Sequence, residues 1–187
     1  MSDPRTSPGL PRFAGAGARR GSEVLARLRE SPPTIWYGGK QVSDVTAHPA
    51  FRGGVHTLER LYDLQWEEAE VMLFDSPSSG RKVARSFMLP KTREELCSIS
   101  AAMRVWADHS RGMMGRVPDY INRAMSGYAA GAAFLGEADP RFGANALRYH
   151  EYLRENDLCL THTLIPPQAN RAVNQARQAD TYLAARV

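Results

Sequence analysis

The chain has 187 residues, 43% of them hydrophobic, 24% charged and 9% aromatic. That length and apolar fraction predict one domain, or one and part of another, with core enough to exclude wholesale disorder. No stretch reaches the roughly 18 consecutive apolar residues of a membrane span, and the excess of 24 Lys and Arg over 20 Asp and Glu gives a net charge of only +4.

That excess is not gathered. Most arginines stand within three or four positions of an acidic residue, as in Arg27 and Glu30, Arg93 and Glu94, or Arg154 and Glu155. This is the pattern of solvated helix faces, and neither a nucleic acid nor a membrane is expected as partner. Two cysteines, Cys97 and Cys159, are too few for a disulfide scaffold. Their apolar contexts predict buried free thiols in a reducing compartment. The first 20 residues, rich in Pro, Gly and Ser and without an apolar core segment, read as a flexible lead-in and not as a secretory signal, so a cytoplasmic location is expected.

The first helix is predicted from Ser22 to Glu30, with Ser22 as cap, Val24, Leu25 and Leu28 as its apolar stripe, and Ser31-Pro32-Pro33 as its stop. Thr34 to Tyr37, then Gly38-Gly39, then Lys40 to Val42 read as a β-hairpin. Helical spacing resumes from His56 to about Glu70 through Leu58, Leu61, Leu64 and Val71. A second hairpin is predicted from Val71 to Phe74, the turn-rich Asp75 to Gly80, and Lys82 to Met88.

The remainder is mainly helical. Thr92 and Glu95 have capping-box spacing, and Leu96, Ile99, Met103 and Trp106 form a stripe behind them. After Gly112-Met113-Met114-Gly115, Pro118 opens a helix with the stripe Ile121, Met125, Tyr128, Ala132 and Leu135. Asp139 caps the next helix, with Pro140 at its first position and Phe142, Ala146, Tyr149 and Leu153 as its stripe. Cys159 to Ile165 read as extended, ended by Pro166-Pro167. The residues thus predict a mainly α chain with two short β-hairpins.

Generic catalytic signatures are absent: there is no GxGxxG, P-loop, HExxH or CxxC, and none of the five histidines has metal-ligand spacing to another His or Cys. Taken alone, Arg116 reads as a loop ion-pair residue, Tyr120 as core and His162 as a structural imidazole. Longer motifs change that reading. Met113 to Tyr120 (MMGRVPDY), Glu155 to Leu164 (ENDLCLTHTL) and Pro167-Gln168 resemble the large oxygenase component of 4-hydroxyphenylacetate 3-monooxygenase. Asp44 to Arg52, Leu61-Tyr62-Asp63 and Val105 to Asp108 are similar as well, in order, from about Gly21 to Leu183.

That family comprises two-component, reduced-flavin-dependent phenol hydroxylases with an acyl-CoA-dehydrogenase-like fold. The resemblance implies ortho-hydroxylation of a phenol such as 4-hydroxyphenylacetate by a flavin C4a-hydroperoxide. Reduced FAD would come from a separate flavin reductase, molecular oxygen would be the co-substrate, and the assembly would be a homo-oligomer. At the matching positions it implies that Arg116 stabilises the developing phenolate, Tyr120 orients the phenol oxygen and His162 acts as general base. His162, Thr163, Leu164, Gln168, Asn170 and Arg171 are implied as flavin contacts. Where the family commonly carries Ser, this chain has Val117, which removes a helix cap. Dehydratases of the same fold hold an iron–sulfur cluster partly by paired cysteines; Cys97 and Cys159 stand far apart, and no metal is expected.

Family members continue into a central β-domain and a helical bundle. The expected organisation here is therefore a lead-in over 1–20, an N-terminal helical domain over 21–157, and the start of the β-domain over 158–187, where the chain is cut. The alternative is a catalytically inactive truncated homologue serving as a structural or protein-interaction domain.

Overall fold

The computed structural model describes residues 17–112 and 119–160. Among them the chain forms α1 (Gly21–Glu30), the hairpin β1 (Ile35–Tyr37) and β2 (Lys40–Val42), then α2 (Arg52–Glu67) and the short α3 (Ala69–Met72). A second hairpin, β3 (Leu73–Asp75) and β4 (Lys82–Ala84), runs into a single 3₁₀ turn at Arg85–Phe87. The long α4 (Arg93–Ser110), α5 (Asp119–Ala130), the short α6 (Ala132–Leu135) and α7 (Pro140–Asn156) complete it. The mainly helical expectation with two antiparallel hairpins holds, whereas the extended stretch predicted from Cys159 lies almost wholly outside the described residues, as does Pro118.

Local chemistry explains most boundaries. In the first hairpin Ile35 faces Val42 and Tyr37 faces Lys40. Gly38 and Gly39 both take positive φ, 58° and 77°, which a two-residue hairpin loop with right-twisting strands requires. Thr92 Oγ1 accepts the Glu95 N–H at 3.2 Å and Glu95 Oε2 accepts the Thr92 N–H at 3.3 Å, so the predicted capping box forms. Asp139 caps α7 by accepting the Arg141 N–H at 2.9 Å.

Four boundaries differ from expectation, one of them in the helix read through Leu135, which breaks at Gly131 into α5 and α6. Ser22 is not a cap: α1 begins one residue earlier, because Glu23 accepts the Arg20 N–H at 2.6 Å and Asp63, on α2, accepts the Gly21 N–H at 2.8 Å. The second helix begins at Arg52, since the N–H groups of Phe51 and Arg52 both bond the His48 carbonyl. The second hairpin is shorter than predicted. Arg85 donates to the carbonyls of Val71 (2.6 Å), Leu73 (2.5 Å) and Glu70 (3.1 Å), which satisfies the end of α3 and leaves Val71 and Met72 helical.

The core has two centres. Leu61 and Leu64 of α2 meet Met72 of α3 and Ala102 and Trp106 of α4 in the first. The Trp106 indole N–H donates to the Leu61 carbonyl at 2.8 Å. Ala84, Phe87 and Leu153 form the second, with Met125, Tyr152, Leu158 and Leu160 packed against it.

Several predicted stripe residues are not in the core. Leu96, Tyr128, Phe142 and Tyr149 are exposed. The buried face of α5 is instead Ile121, Asn122, Ser126 and Ala129, and that of α7 is Gly143, His150, Leu153, Arg154 and Asn156. These helices pack through small and polar side chains at close range. A Cβ on Gly143 would lie 2.3 Å from the Ala132 carbonyl oxygen of α6, a distance no side chain tolerates. The bulky aromatics Tyr128, Phe142 and Tyr149 of the same two helices stand on the exposed side. The cysteines are also corrected: both are free, and both are exposed, Cys97 beside Leu96 on the outer side of α4 and Cys159 beyond α7.

Residues 17–20, expected to end a flexible lead-in, form a pinned strap. Gly17 N–H bonds the Glu155 carbonyl at 3.1 Å and Ala18 N–H the Lys82 carbonyl at 2.7 Å. The Arg19 carbonyl accepts the Trp66 indole N–H at 3.2 Å, and the Arg20 guanidinium lies 4.8 Å from the Trp66 ring centroid. Backbone groups of the strap thus find partners on α7, β4 and α2, which fixes it despite its glycine. No helix among the described residues is long and apolar enough to cross a membrane.

Candidate functional site

Two chain exits frame the segments that carry the predicted site residues. The first is the end of α4. Arg111 adopts a left-handed conformation, φ 55°, followed by Gly112 at φ 73°. The Gly112 N–H reaches back to the Ala107 carbonyl at 2.8 Å and the Arg111 N–H to Asp108 at 3.4 Å, a six-to-one closure that ends the helix sharply. The chain re-enters the described structure at α5, where Tyr120 occupies the first turn.

Tyr120 is 47% exposed, while its neighbours Ile121 and Asn122 are buried at 7% and 0%. The polar underside of α5 holds it in that register. Asn122 Nδ2 donates to Ser86 Oγ at 2.9 Å, and Arg123 Nη1 donates to the carbonyls of Ser86 (2.8 Å) and Met88 (2.7 Å). Ser126 Oγ donates to the Asn122 carbonyl at 2.8 Å and lies 3.3 Å from His150 Nε2. His150 Nε2 is 2.9 Å from the Phe87 carbonyl, an acceptor only, so the proton is assigned to that nitrogen. Burial, together with the charge of Arg154, holds the His150 imidazole below its ordinary pKa, and it stays neutral at neutral pH. This network fastens the start of α5 to the 3₁₀ turn and to α7.

The second exit is the end of α7. Asp157 is left-handed, φ 43°, and its N–H bonds the Arg154 carbonyl while the Leu158 N–H bonds Leu153 at 3.2 Å. The Asp157 side chain is fully enclosed. Its Oδ2 accepts from the Arg19 N–H and from Gln65 Nε2, each at 2.9 Å, and its carbonyl accepts the Tyr62 hydroxyl at 3.1 Å. Burial raises its carboxyl to about 6, against the opposing pull of those hydrogen bonds and the Arg19 guanidinium. Leu158 and Leu160 then pack on the second core centre as the chain leaves toward residue 161.

The model of the family described as 4-hydroxyphenylacetate 3-hydroxylase N terminal matches residues 20–187. The chain belongs to this family. It is 43% identical over 166 residues to the 4-hydroxyphenylacetate 3-monooxygenase oxygenase component of Thermus thermophilus, a match that covers 89% of this chain and 34% of the relative. A crystal structure of an oxygenase component of 4-hydroxyphenylacetate 3-monooxygenase, complexed with FAD and 4-hydroxyphenylacetate, superposes with a TM-score of 0.78 at 44% identity, over 88% of this chain and 34% of that one. An archaeal 4-hydroxybutyryl-CoA dehydratase from N. maritimus, at 20% identity, shares the fold with a TM-score of 0.73, over 89% of this chain and 33% of that one. The chain therefore spans about a third of the length of the curated relatives it matches.

Of the candidate catalytic and flavin-contact residues, Tyr120 alone lies among the described residues, and it is exposed, not part of the core. Arg116 falls between the described segments, and His162, Thr163, Leu164, Gln168, Asn170 and Arg171 lie beyond residue 160, outside them. Their flanks are what the structure supplies: residues 112 and 119 on either side of Arg116, and Asp157 five positions before His162. His150, one of the five scattered histidines, is a buried structural imidazole bonded to the Phe87 carbonyl. Sequence reasoning missed Asn122, Ser126, Gln65 and Asp157. The i, i+4 pairing of Asn122 and Ser126 inside an apolar stripe was the available signal, because a buried polar residue demands a partner.

Proposed function

We propose that this chain is the N-terminal part of a reduced-flavin-dependent monooxygenase that ortho-hydroxylates a phenol, with 4-hydroxyphenylacetate or a close analogue as substrate. The observation that carries this reading is the family match over residues 20–187, within which Arg116, Tyr120 and His162 stand in order at the motif positions. The reading includes FAD as the flavin, delivered reduced by a separate reductase, with molecular oxygen as co-substrate, a homo-oligomer and a cytoplasmic location. It also takes the helical body to residue 157 as the N-terminal helical domain of an acyl-CoA-dehydrogenase-like fold, with residues 158–187 opening its central β-domain.

The donor set suits both ligands. A guanidinium, a phenolic hydroxyl and an imidazole match a phenol oxygen that gains negative charge; a hydroxyl, two amides and a guanidinium match the polar edge of an isoalloxazine and its ribityl phosphate tail. Tyr120 supports the fit, since its ring stands at the surface on a helix whose register is fixed by the Asn122–Ser86 contact. Reduced FAD, when bound, supplies the activated oxygen. Arg116 lowers the cost of charge on the phenol oxygen, Tyr120 holds that oxygen by a hydrogen bond, and His162 takes its proton near neutral pH.

An anaerobic titration of the 187-residue chain with reduced FAD, with and without 4-hydroxyphenylacetate, tests the proposal. Saturable binding, tightened by the phenol and weakened by His162→Ala, is expected. No binding at sub-millimolar reduced FAD would remove the enzymatic reading from this chain and favour a role as an interaction domain.

A further inference from the structure

A cavity of about 440 Å³ opens where the strap, α1, α2 and the chain leaving α7 converge, and the oxygenase reading gives it no task. Its apolar walls are Val24 and Leu28 of α1, Leu58 of α2, and Leu158 and Leu160 beyond α7. Two arginines line the same space, Arg19 from the strap and Arg27 from the last turn of α1, and both are half-buried. Tyr62 and Asp157 also belong to the lining, and both are buried. The Tyr62 hydroxyl donates to the Asp157 carbonyl, and Asp157 Oδ2 accepts from the Arg19 N–H and from Gln65 Nε2. The two guanidiniums are therefore the charged donors of the cavity.

Like charges lining one cavity repel, and each gives up part of its hydration there. Burial, and next the charge of Arg27, hold the Arg19 guanidinium below its ordinary pKa. Asp157 is the one carboxylate among the described lining residues, and Arg19 enters no ion pair among the described residues. An anion set between Arg19 and Arg27 relieves both costs, because charge-assisted hydrogen bonds strengthen where water is partly excluded. A bare inorganic ion would leave the leucine walls wet. The volume suits a small organic molecule, for which roughly 300–1,000 Å³ is usual. A carboxylate head fits the planar fork of a guanidinium through two parallel hydrogen bonds.

We propose that this cavity is a binding site for a small organic carboxylate with an apolar body, its head held between Arg19 and Arg27 and its aryl or acyl body resting on Leu28, Leu58 and Leu158. Tyr120, on α5, is not among the described lining residues, so the site stands apart from the candidate catalytic position that the structure describes. It goes beyond the oxygenase reading and does not depend on it. Residues from four separate parts of the chain build it, and the charged pair comes from segments that the strap and α1 bring side by side.

Phenylacetate, acetate and benzyl alcohol separate head from body: the first carries both, the second the carboxylate alone, and the third the ring with a neutral hydroxyl. Each is titrated into the whole isotope-labelled chain without flavin, followed by NMR of the leucine methyl and arginine Nε–H signals. Phenylacetate is expected to saturate one site at a Kd of about 1 mM or below, with acetate and benzyl alcohol at least about tenfold weaker. The signals that move with saturation are the methyls of Leu28, Leu58 and Leu158 and the Nε–H groups of Arg19 and Arg27. Arg19→Gln and Arg27→Gln each weaken phenylacetate about tenfold, and Arg27→Lys, which keeps the charge but not the fork, weakens it less. No saturation by about 10 mM phenylacetate overturns the proposal. So does acetate binding as tightly as phenylacetate, benzyl alcohol doing so, shifts confined to residues outside the cavity, or an affinity unchanged by both glutamine substitutions. The wild-type titrations with the three probes decide the matter even where a variant fails to fold.

Discussion

His150 is where the polar interior of α5 and α7 meets the packed core, and its removal has a calculable cost. The imidazole is 3% exposed, donates Nε2–H to the Phe87 carbonyl at 2.9 Å, and stands edge-on to the Phe87 ring with centroids 6.1 Å apart. His150→Ala leaves that carbonyl buried and unpaired, a penalty of about 1–3 kcal/mol, and opens a cavity beside Phe87 that adds roughly 1–2 kcal/mol. A total near 3 kcal/mol is expected, and about half that for His150→Gln, which retains a donor. The pH dependence has a definite sign. Because the folded pKa is depressed, the full contribution is present above the unfolded value of about 6.5 and is lost as pH falls through the folded one, since the unfolded chain takes up the proton first. Asp157 acts oppositely between about 4 and 6, where its raised pKa makes the folded state bind the extra proton, so the His150 effect must be read as wild type minus variant. Urea unfolding followed by tryptophan fluorescence at pH ~7.5, ~6 and ~5 measures that difference. It should shrink with acidity by up to about 1.4 kcal/mol per pH unit below 6.5. A difference that does not change with pH, or an Ala variant within about 0.5 kcal/mol of wild type, would refute the buried neutral imidazole.

Two further substitutions test the packing. Gly143→Ala raises helix propensity by about 1 kcal/mol, yet it is expected to destabilise by roughly 1–3 kcal/mol, because the new Cβ would meet the Ala132 carbonyl oxygen at 2.3 Å; thermal unfolding monitored by circular dichroism should show a lower midpoint, and a higher one would contradict the close approach of α6 and α7. Trp106→Phe keeps most of the apolar contact with Leu61 and Leu64 but removes the indole donor from the buried Leu61 carbonyl, so a loss of about 1–3 kcal/mol is expected in chemical denaturation, against none if that hydrogen bond does not form.

What the sequence determined by itself was local or carried by motif. The Thr92–Glu95 box, the Asp139-Pro140 helix start and the Gly38-Gly39 hairpin depend on residues within four positions of one another, and each forms as read. The family was legible because several motifs recur in order. Which face of each helix is buried was not legible for α5 and α7, where period alone selected Tyr128, Phe142 and Tyr149 as core. A 3.6-residue period identifies a stripe, but the neighbour decides whether large or small groups fit against it, and here a backbone carbonyl at Gly143 excludes the large ones. The polar interior was hidden for a similar reason. The Asn122 amide donates to Ser86, 36 positions away, and Asp157 accepts from Gln65 and Arg19, 92 and 138 positions away. Burying a polar group is tolerable only where such partners converge, and convergence of distant segments is a property of the tertiary structure.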